Sequence, residues 1–376
     1  MAVSGARRNN YGELFGARQG KQVPRIAELC VEPADAALRQ KDRKATSFYP
    51  GREYHHARLR PLVTNPHESM AKVMEKDFDV DLVYLWVDGS DPQWLEKKNA
   101  ETVKIAGLEP YAAGKGRFAD NDELKYSLRS VEKYAPWINR IFIITDEQIP
   151  KWLNTKHPKI KIIDHIEIMP AKALPCFNSM ALETGIPNIK DLSEHFLYAN
   201  DDMFFADHTE KAFFFDEQGM PIVRFKTRAP GKRDRATQYL IFQKYGLKAK
   251  TFHHNIDAYL KTDYLNCLKA FEKEFEHTVM SKFRNDSNIS RILVSYYMLD
   301  LKHARSKIVN PLFAGIIKSP IDSVHIRIKT PSDIKKFKYK PKLFCLNDCH
   351  KATDAQRQKA KEFLKTMFAE KSGFEV

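Results

Sequence analysis

The 376-residue sequence has no apolar stretch approaching the roughly 20 residues that cross a bilayer. Met1 to Gly20 also lacks the apolar core of a secretory leader, so the expectation is a protein in solution or peripherally bound. Glycine-rich phosphate loops are missing too. Neither a Walker-type segment nor G-x-G-x-x-G occurs, which counts against kinases and dehydrogenases. The five cysteines, Cys30, Cys176, Cys267, Cys345 and Cys349, make an odd set with no paired framework, as in a reducing cytosol. Cys345, Cys349 and His350 suggest zinc, but two more well-spaced ligands are wanting. There is no internal repeat, and no basic stripe interleaved with aromatics, so nucleic acid is not an expected partner.

Apolar residues make up 43% of the chain, with 24 Phe and 15 Tyr. That is enough for a sizeable core, in one large domain or two ordinary ones. Sixty-two Lys and Arg against 48 Asp and Glu leave a net charge of +14. Such a balance suits polyanions or phosphate-rich substrates, and equally a solvated basic surface.

Residues 1–78 are Arg-rich, carry five prolines and show little periodicity, so they read as a basic N-terminal extension. From Val80 the texture changes. Val80 to Val87 is an almost continuous apolar run, a buried strand closed by the turn Asp88-Gly89-Ser90-Asp91-Pro92. Leu124, Leu128 and Val131 recur at helical spacing over 121–134. Further strands are expected at 140–145, 160–164 and 194–199, with helices at 150–154 and 179–185. Later segments predict helices over 263–279, 289–301 and 354–371, the last basic and amphipathic, and a late strand over 338–346. The amphipathic helix suits packing on the domain, with a membrane-surface role as the weaker reading. Strands alternating with helices imply an α/β fold with a mainly parallel sheet, whose ligands sit beyond the carboxyl ends of the strands. Asp88, Asp146, Asp164 and Asp201-Asp202 fall at those ends.

Four polar clusters can carry chemistry. Asn200-Asp201-Asp202 offers oxygen ligands for Mg²⁺ or Mn²⁺ on a diphosphate, provided the backbone turns so that both carboxylates converge. The bland alternative is a capped turn. Asp120-Asn121-Asp122-Glu123 opens a helix, where capping is the simple explanation, yet Asn121 and Glu123 can bind sugar hydroxyls. Arg117 or Arg129 can grip phosphate. In His253-His254-Asn255-Ile256-Asp257, a histidine with a nearby carboxylate is a candidate base. Arg284 can hold transferred phosphate.

Together these clusters resemble the Stealth family. Asp81 to Pro92 is similar to its first block. Arg117 to Leu124, Ser127-Leu128-Arg129-Ser130, Phe177-Asn178-Ser179 and Tyr198 to Phe204 are similar to the second. His254 to Asp257 with Lys282-Phe283-Arg284 are similar to the third, and Phe344 to Asp348 to the fourth. Cys176, where a residue such as Thr is expected, and Asn288, where the family often has an acid, depart from the pattern.

The resemblance implies a glycosyltransferase-A-like core with flanking helices and a helical C-terminal part, divided as an extension at 1–78, a catalytic domain at 79–350 and a basic helix at 351–376. It implies sugar-1-phosphate transfer from a nucleotide-sugar, UDP-linked by expectation, to an oligosaccharide or polysaccharide hydroxyl in capsule or exopolysaccharide synthesis, with release of a nucleoside monophosphate. Catalytic roles fall to His254, Arg284, Asp88 and Asp202, and Mg²⁺ or Mn²⁺ to Asp201 and Asp202. Substrate contacts fall to Arg117, Asn121, Glu123, Arg129, Asn178, Asn200, Asn347 and Asp348. A cytoplasmic setting is expected, with peripheral association at the inner membrane or with capsule export machinery. Two rivals stand beside this reading: a metal-dependent glycosyltransferase releasing nucleoside diphosphate, and a non-enzymatic polyanion binder.

Overall fold

The computed structural model describes residues 77–376 except 106, 109, 227–233, 310–320 and 350. The expected extension at 1–78 therefore lies outside the described residues, apart from Asp77 and Phe78, as does His350.

The strands are β1 (Val80–Leu85), β2 (Ile141–Thr145), β3 (Ile160–Asp164), β4 (His195–Asn200), β5 (Met203–Phe205), β6 (Ile222–Phe225), β7 (Asp257–Leu260), β8 (Arg305–Ile308), β9 (Ser323–Arg327) and β10 (Leu343–Asn347). The helices are α1 (Pro92–Thr102), α2 (Pro110–Ala113), α3 (Glu123–Tyr134), α4 (His165–Ile168), α5 (Ser179–Gly185), α6 (Arg235–Tyr245), α7 (Lys261–Ala270), α8 (Glu272–Met280), α9 (Ile292–Asp300) and α10 (Asp354–Met367). A central five-stranded sheet has the order β3-β2-β1-β4-β7, parallel except for β7. The chain builds outward from β1 to β3, then returns to the other side of β1 to lay down β4. The β1/β4 boundary is thus the topological switch point, where ligands of open α/β sheets bind.

β1 is buried at all six positions because helices cover both faces of the sheet. Its side chains alternate between two cores. Val80, Leu82 and Tyr84 pack with Leu124, Leu128 and Val131 of α3. Val83 and Leu85 face the opposite core, with Ala181 and Leu182 of α5 and Leu293 and Val294 of α9. Asp81 is buried in this apolar strand, where it accepts from Asn139 Nδ2 (2.9 Å), Arg140 Nη2 (3.1 Å) and the Ser193 amide (2.8 Å). It ties the starts of β1, β2 and β4 together, leaving the opposite ends for the site.

Three expectations are corrected. Residues 150–154 form a turn and an isolated bridge from Leu153 to Glu375, because Pro150 opens a segment that pairs with the C-terminus and does not coil. The helix expected over 263–279 is broken at Phe271, whose φ of −121° ends α7 before α8 begins. The late strand starts only at Leu343, since 331–339 coils as a 3₁₀ segment.

A second sheet, β5-β10-β9, springs from the end of β4. One face is aromatic: Phe204 stacks on Phe344 at 4.6 Å, and Phe368 beyond α10 closes over both. Ala360 and Leu364 of α10 enter the same core, so that amphipathic helix packs on the body. Among the described residues no helix is long and apolar enough to cross a membrane.

Candidate active site at the β1/β4 switch point

β4 ends at Asn200, the chain turns through Asp201-Asp202, and β5 begins at Met203. The turn sets Asp201 among Glu123 and Asp120, and Asp202 among Cys345, Asn347 and Asp348. It is clamped by the Leu346 amide of β10 donating to the Asp202 carbonyl at 2.8 Å. Asp201 Oδ1 accepts from the Asp202 amide at 3.0 Å. Asp202 Oδ2 lies 3.5 Å from the Cys345 thiol, which donates to it.

Opposite, at the end of β1, the Asp88 amide donates to Gln148 Oε1, and Asp88 Oδ1 accepts from the amide and hydroxyl of Ser90. The Gly89 amide donates to the Phe118 carbonyl at 2.9 Å. A Cβ on Gly89 would stand 2.2 Å from that carbonyl oxygen, so only glycine lets the two loops meet. This contact brings the 117–123 segment to the switch point. Arg117 ends a 3₁₀ turn there, half-buried. Glu123 is buried and takes both the amide (2.5 Å) and side-chain Nδ2 (2.7 Å) of Asn121. Asp122, with φ +66°, caps α3 and pairs with Lys361 of α10 at 2.5 Å.

The carboxylates form one electrostatic cluster. Burial, then the charges of Asp122 and Asp88, pushes Asp120 up to about 6. Burial and the Asp120 charge push Glu123 up to about 8. Burial, then Asp202, Glu123 and Asp120, drives Asp201 well above the usual carboxylate range. Burial raises Asp202 to about 6 against hydrogen bonds from Cys345 and Asn347. Asp202 Oδ1 is buried with no hydrogen-bond partner. Clustered acids that repel one another, with an unsatisfied oxygen among them, match what a hard divalent cation with oxygen ligands requires.

His254 lies on the loop before β7. Its backbone is left-handed at φ +57°, a conformation that costs a residue with a Cβ roughly 1–2 kcal/mol. Burial, then His325, Arg291 and Lys226, pushes the imidazole down to about 3, so it is neutral at pH 7. The expected carboxylate partner is assigned differently by the structure. Asp257 pairs with the neighbouring His253 at 3.0 Å and with Arg291 at 2.8 Å, while His254 meets His325 edge-on at 5.1 Å. Arg284 donates to the Ser179 hydroxyl at the start of α5, and its Nε is buried without a partner.

Three expected substrate contacts are engaged within the fold. Arg129 makes a two-pronged bridge to Glu375, both arms 2.7 Å, and donates to the Phe368 carbonyl, so it anchors the C-terminus. Asn178 is wholly buried, caps α5 and donates to Asn288 Oδ1 at 2.9 Å. A neutral amide suits Asn288 because its oxygen also accepts from the Asn285 amide while its nitrogen donates to Ser281. Asp348 is held by Arg357 of α10 at 2.7 Å. Asn347, one residue earlier, does reach the site through its hydrogen bond to Asp202.

Sequence reasoning missed a buried polar chain behind the site. Tyr198 lies 2.8 Å from Asn200 Oδ1 and 3.1 Å from Glu183 Oε1. The Arg291 guanidinium stacks 4.6 Å over the Tyr198 ring and pairs with Glu183 and Asp257. Asp257 passes the chain to His253, whose Nδ1 lies 3.0 Å from the Ser323 hydroxyl. Glu183 and Arg291 each sit inside an apolar segment (MALET, SRILV), and a charge in such a place is the signal that could have found them.

Fold and site thus define an α/β protein with an acidic cluster at the switch point of a mainly parallel sheet. Residues 78–101 match Stealth protein CR1, conserved region 1, and residues 117–223 match Stealth protein CR2, conserved region 2. The capsular polysaccharide phosphotransferase fcs1 of Haemophilus influenzae is 31% identical over 296 residues, covering 74% of this chain and 80% of that protein. The capsular polysaccharide phosphotransferase cps12A of Actinobacillus pleuropneumoniae is 32% identical over 313 residues, covering 75% and 81%. The exopolysaccharide phosphotransferase cps2G of Lactiplantibacillus plantarum is 48% identical over 144 residues, but these are 38% of this chain and 41% of that protein. The chain belongs to the Stealth family.

Proposed function

We propose that the protein transfers a sugar-1-phosphate from a nucleotide-sugar to a sugar hydroxyl, building phosphodiester-linked capsular or exopolysaccharide. The observation that carries the reading is the joining of Asp120, Glu123, Asp201 and Asp202 in one electrostatic cluster at the switch point, with a neutral His254 on the loop before β7. The relatives' names, capsular and exopolysaccharide phosphotransferases, support phosphoryl transfer.

In this reading Asp201 and Asp202 hold Mg²⁺ or Mn²⁺, with Asp120 and Glu123 adding negative charge behind them. A bound divalent ion would neutralise the diphosphate of the donor. Asn121, Arg117 and Asn200 line the approach for sugar hydroxyls and phosphate, and Asn347 orients Asp202. Asp88 takes part through the charge it places on Asp120 and through the loop it folds against Gln148. The acceptor oxygen attacks the phosphorus attached to the donor sugar. Its proton passes to His254, and the bond from that phosphorus to the nucleoside monophosphate breaks. The negative diphosphate favours protonated His254, raising an imidazole that burial and the neighbouring His325, Arg291 and Lys226 hold low. Arg284 stabilises charge on the transferred phosphoryl group. The reaction belongs at the cytoplasmic face of the membrane, where nucleotide-sugars and a growing polymer meet.

The test is incubation with a panel of nucleotide-sugars, Mg²⁺ and short acceptor oligosaccharides, followed by product mass. A product heavier than its acceptor by one sugar phosphate supports the reading. A gain of one sugar alone would make the protein a glycosyltransferase, and no turnover with any donor would favour the polyanion binder.

A further inference from the structure

Cys345, Cys349 and His350 read as a zinc motif short of ligands, and the fold supplies ligands from two other segments. Cys345 on β10 is in register with His325 on β9. Partners in register on neighbouring strands present their side chains to the same face. The left-handed turn before β7 brings His254 to that face, its ring perpendicular to His325 with centroids 5.1 Å apart. One donor atom from each of His254, His325 and Cys345 lies within 4.8 Å of the other two. Nitrogen and sulfur ligands of a tetrahedral zinc, at about 2.0–2.3 Å from the metal, stand roughly 3.3–3.8 Å apart. Small rotations of two half-covered imidazoles close that difference.

The surroundings are mixed in charge. Lys226 and Arg291 act on His254, and Asp257 opposes them. Asp202 stands beside Cys345, with Oδ2 at 3.5 Å from its sulfur and Oδ1 buried and unpartnered. We propose that His254, His325 and Cys345 bind a zinc-class divalent ion, distinct in ligand chemistry from the oxygen-rich carboxylate cluster beside it. Two imidazoles and a thiolate prefer such a borderline ion to magnesium. Binding transfers the Cys345 thiol proton to solvent and leaves a fourth position for water. One consequence rests on the function proposed above: an ion on the His254 lone pair removes the base, so zinc inhibits transfer.

The full chain, stripped with chelator, is titrated with Co²⁺ as a spectroscopic probe and with Zn²⁺ against a chromophoric chelator. One equivalent should bind and give a thiolate-to-cobalt charge-transfer band. Cys345→Ser should abolish the band. His325→Ala, at a half-covered position and so the safer variant for folding, should weaken Zn²⁺ binding at least tenfold. Cys349→Ser should change neither. Absence of Zn²⁺ binding at tens of micromolar, a band that survives Cys345→Ser, or equal affinity in His325→Ala would each overturn the site. In Mg²⁺-supported assays, Zn²⁺ should inhibit with a midpoint that rises at least tenfold in His325→Ala. Binding without inhibition would leave the site standing and overturn the consequence for His254.

Discussion

Chelating divalent ions should make the protein lose stability as pH rises through neutrality, and Mg²⁺ should reverse that loss. Asp120, Glu123 and Asp202 hold protons more tightly in the folded chain than ordinary carboxyls at 3.8 or 4.5. The folded state therefore binds more protons than the unfolded state between about pH 4 and 8, so stability is greatest at the acid end and falls as pH rises. For Asp120, a rise from 3.8 to about 6 corresponds to about 3 kcal/mol, lost by pH 6 to 7. Glu123 acts in the same direction up to about pH 8, but part of its shift is the same mutual repulsion. A combined loss of roughly 3–5 kcal/mol follows, or about 6–10 °C in melting temperature at roughly 2 °C per kcal/mol for a domain of this size. A cation at 100 times its Kd returns about 2.7 kcal/mol. Thermal melts in EDTA and in Mg²⁺, at pH 5.5 and 7.5, should show Mg²⁺ raising Tm by about 5 °C at pH 7.5 and little at pH 5.5. Glu123→Gln should flatten the pH dependence in EDTA. Equal Mg²⁺ shifts at both pH values would refute the reasoning.

Other substitutions separate chemistry from scaffolding. His254→Ala should lower kcat by about 10²–10⁴ with an unchanged melting curve, the span expected for loss of a general base. Arg129→Ala should cost about 2–3 kcal/mol in denaturant unfolding, because Glu375 would lose its two-pronged partner and keep only Lys125 at 3.9 Å and Ser372, while KM for the donor stays the same. Gly89→Ala should lower kcat/KM at least tenfold, since the added Cβ pushes the 117–123 segment from the end of β1.

Much of the fold was legible because buried parallel strands read as apolar runs. Val80 to Val87 and 140–145 are such runs, and Leu124, Leu128 and Val131 mark the face of α3 that covers them. The antiparallel β7 and the small strands β5, β6, β8 and β9 were not legible. They are short, and their pairing depends on partners distant in sequence, as Met203 with Cys345 shows. The acidic turn at Asp201-Asp202 was visible as a candidate site, because its carboxylates follow an apolar run at a strand end, although a capped turn explains the same pattern. Residue roles that depend on direction were harder. Arg129 looked free to meet phosphate, yet helical geometry turns it toward Glu375, 246 residues later. Asp257 was linked to a histidine correctly, but strand geometry gives it His253 and leaves His254 beside His325 and Cys345.

Transfer of phosphate along with sugar can be followed with a nucleotide-sugar labelled with ³²P at the phosphorus next to the sugar. The label should move to the acceptor while unlabelled nucleoside monophosphate is released. Label retained on a nucleoside diphosphate, with unlabelled sugar on the acceptor, would contradict such transfer.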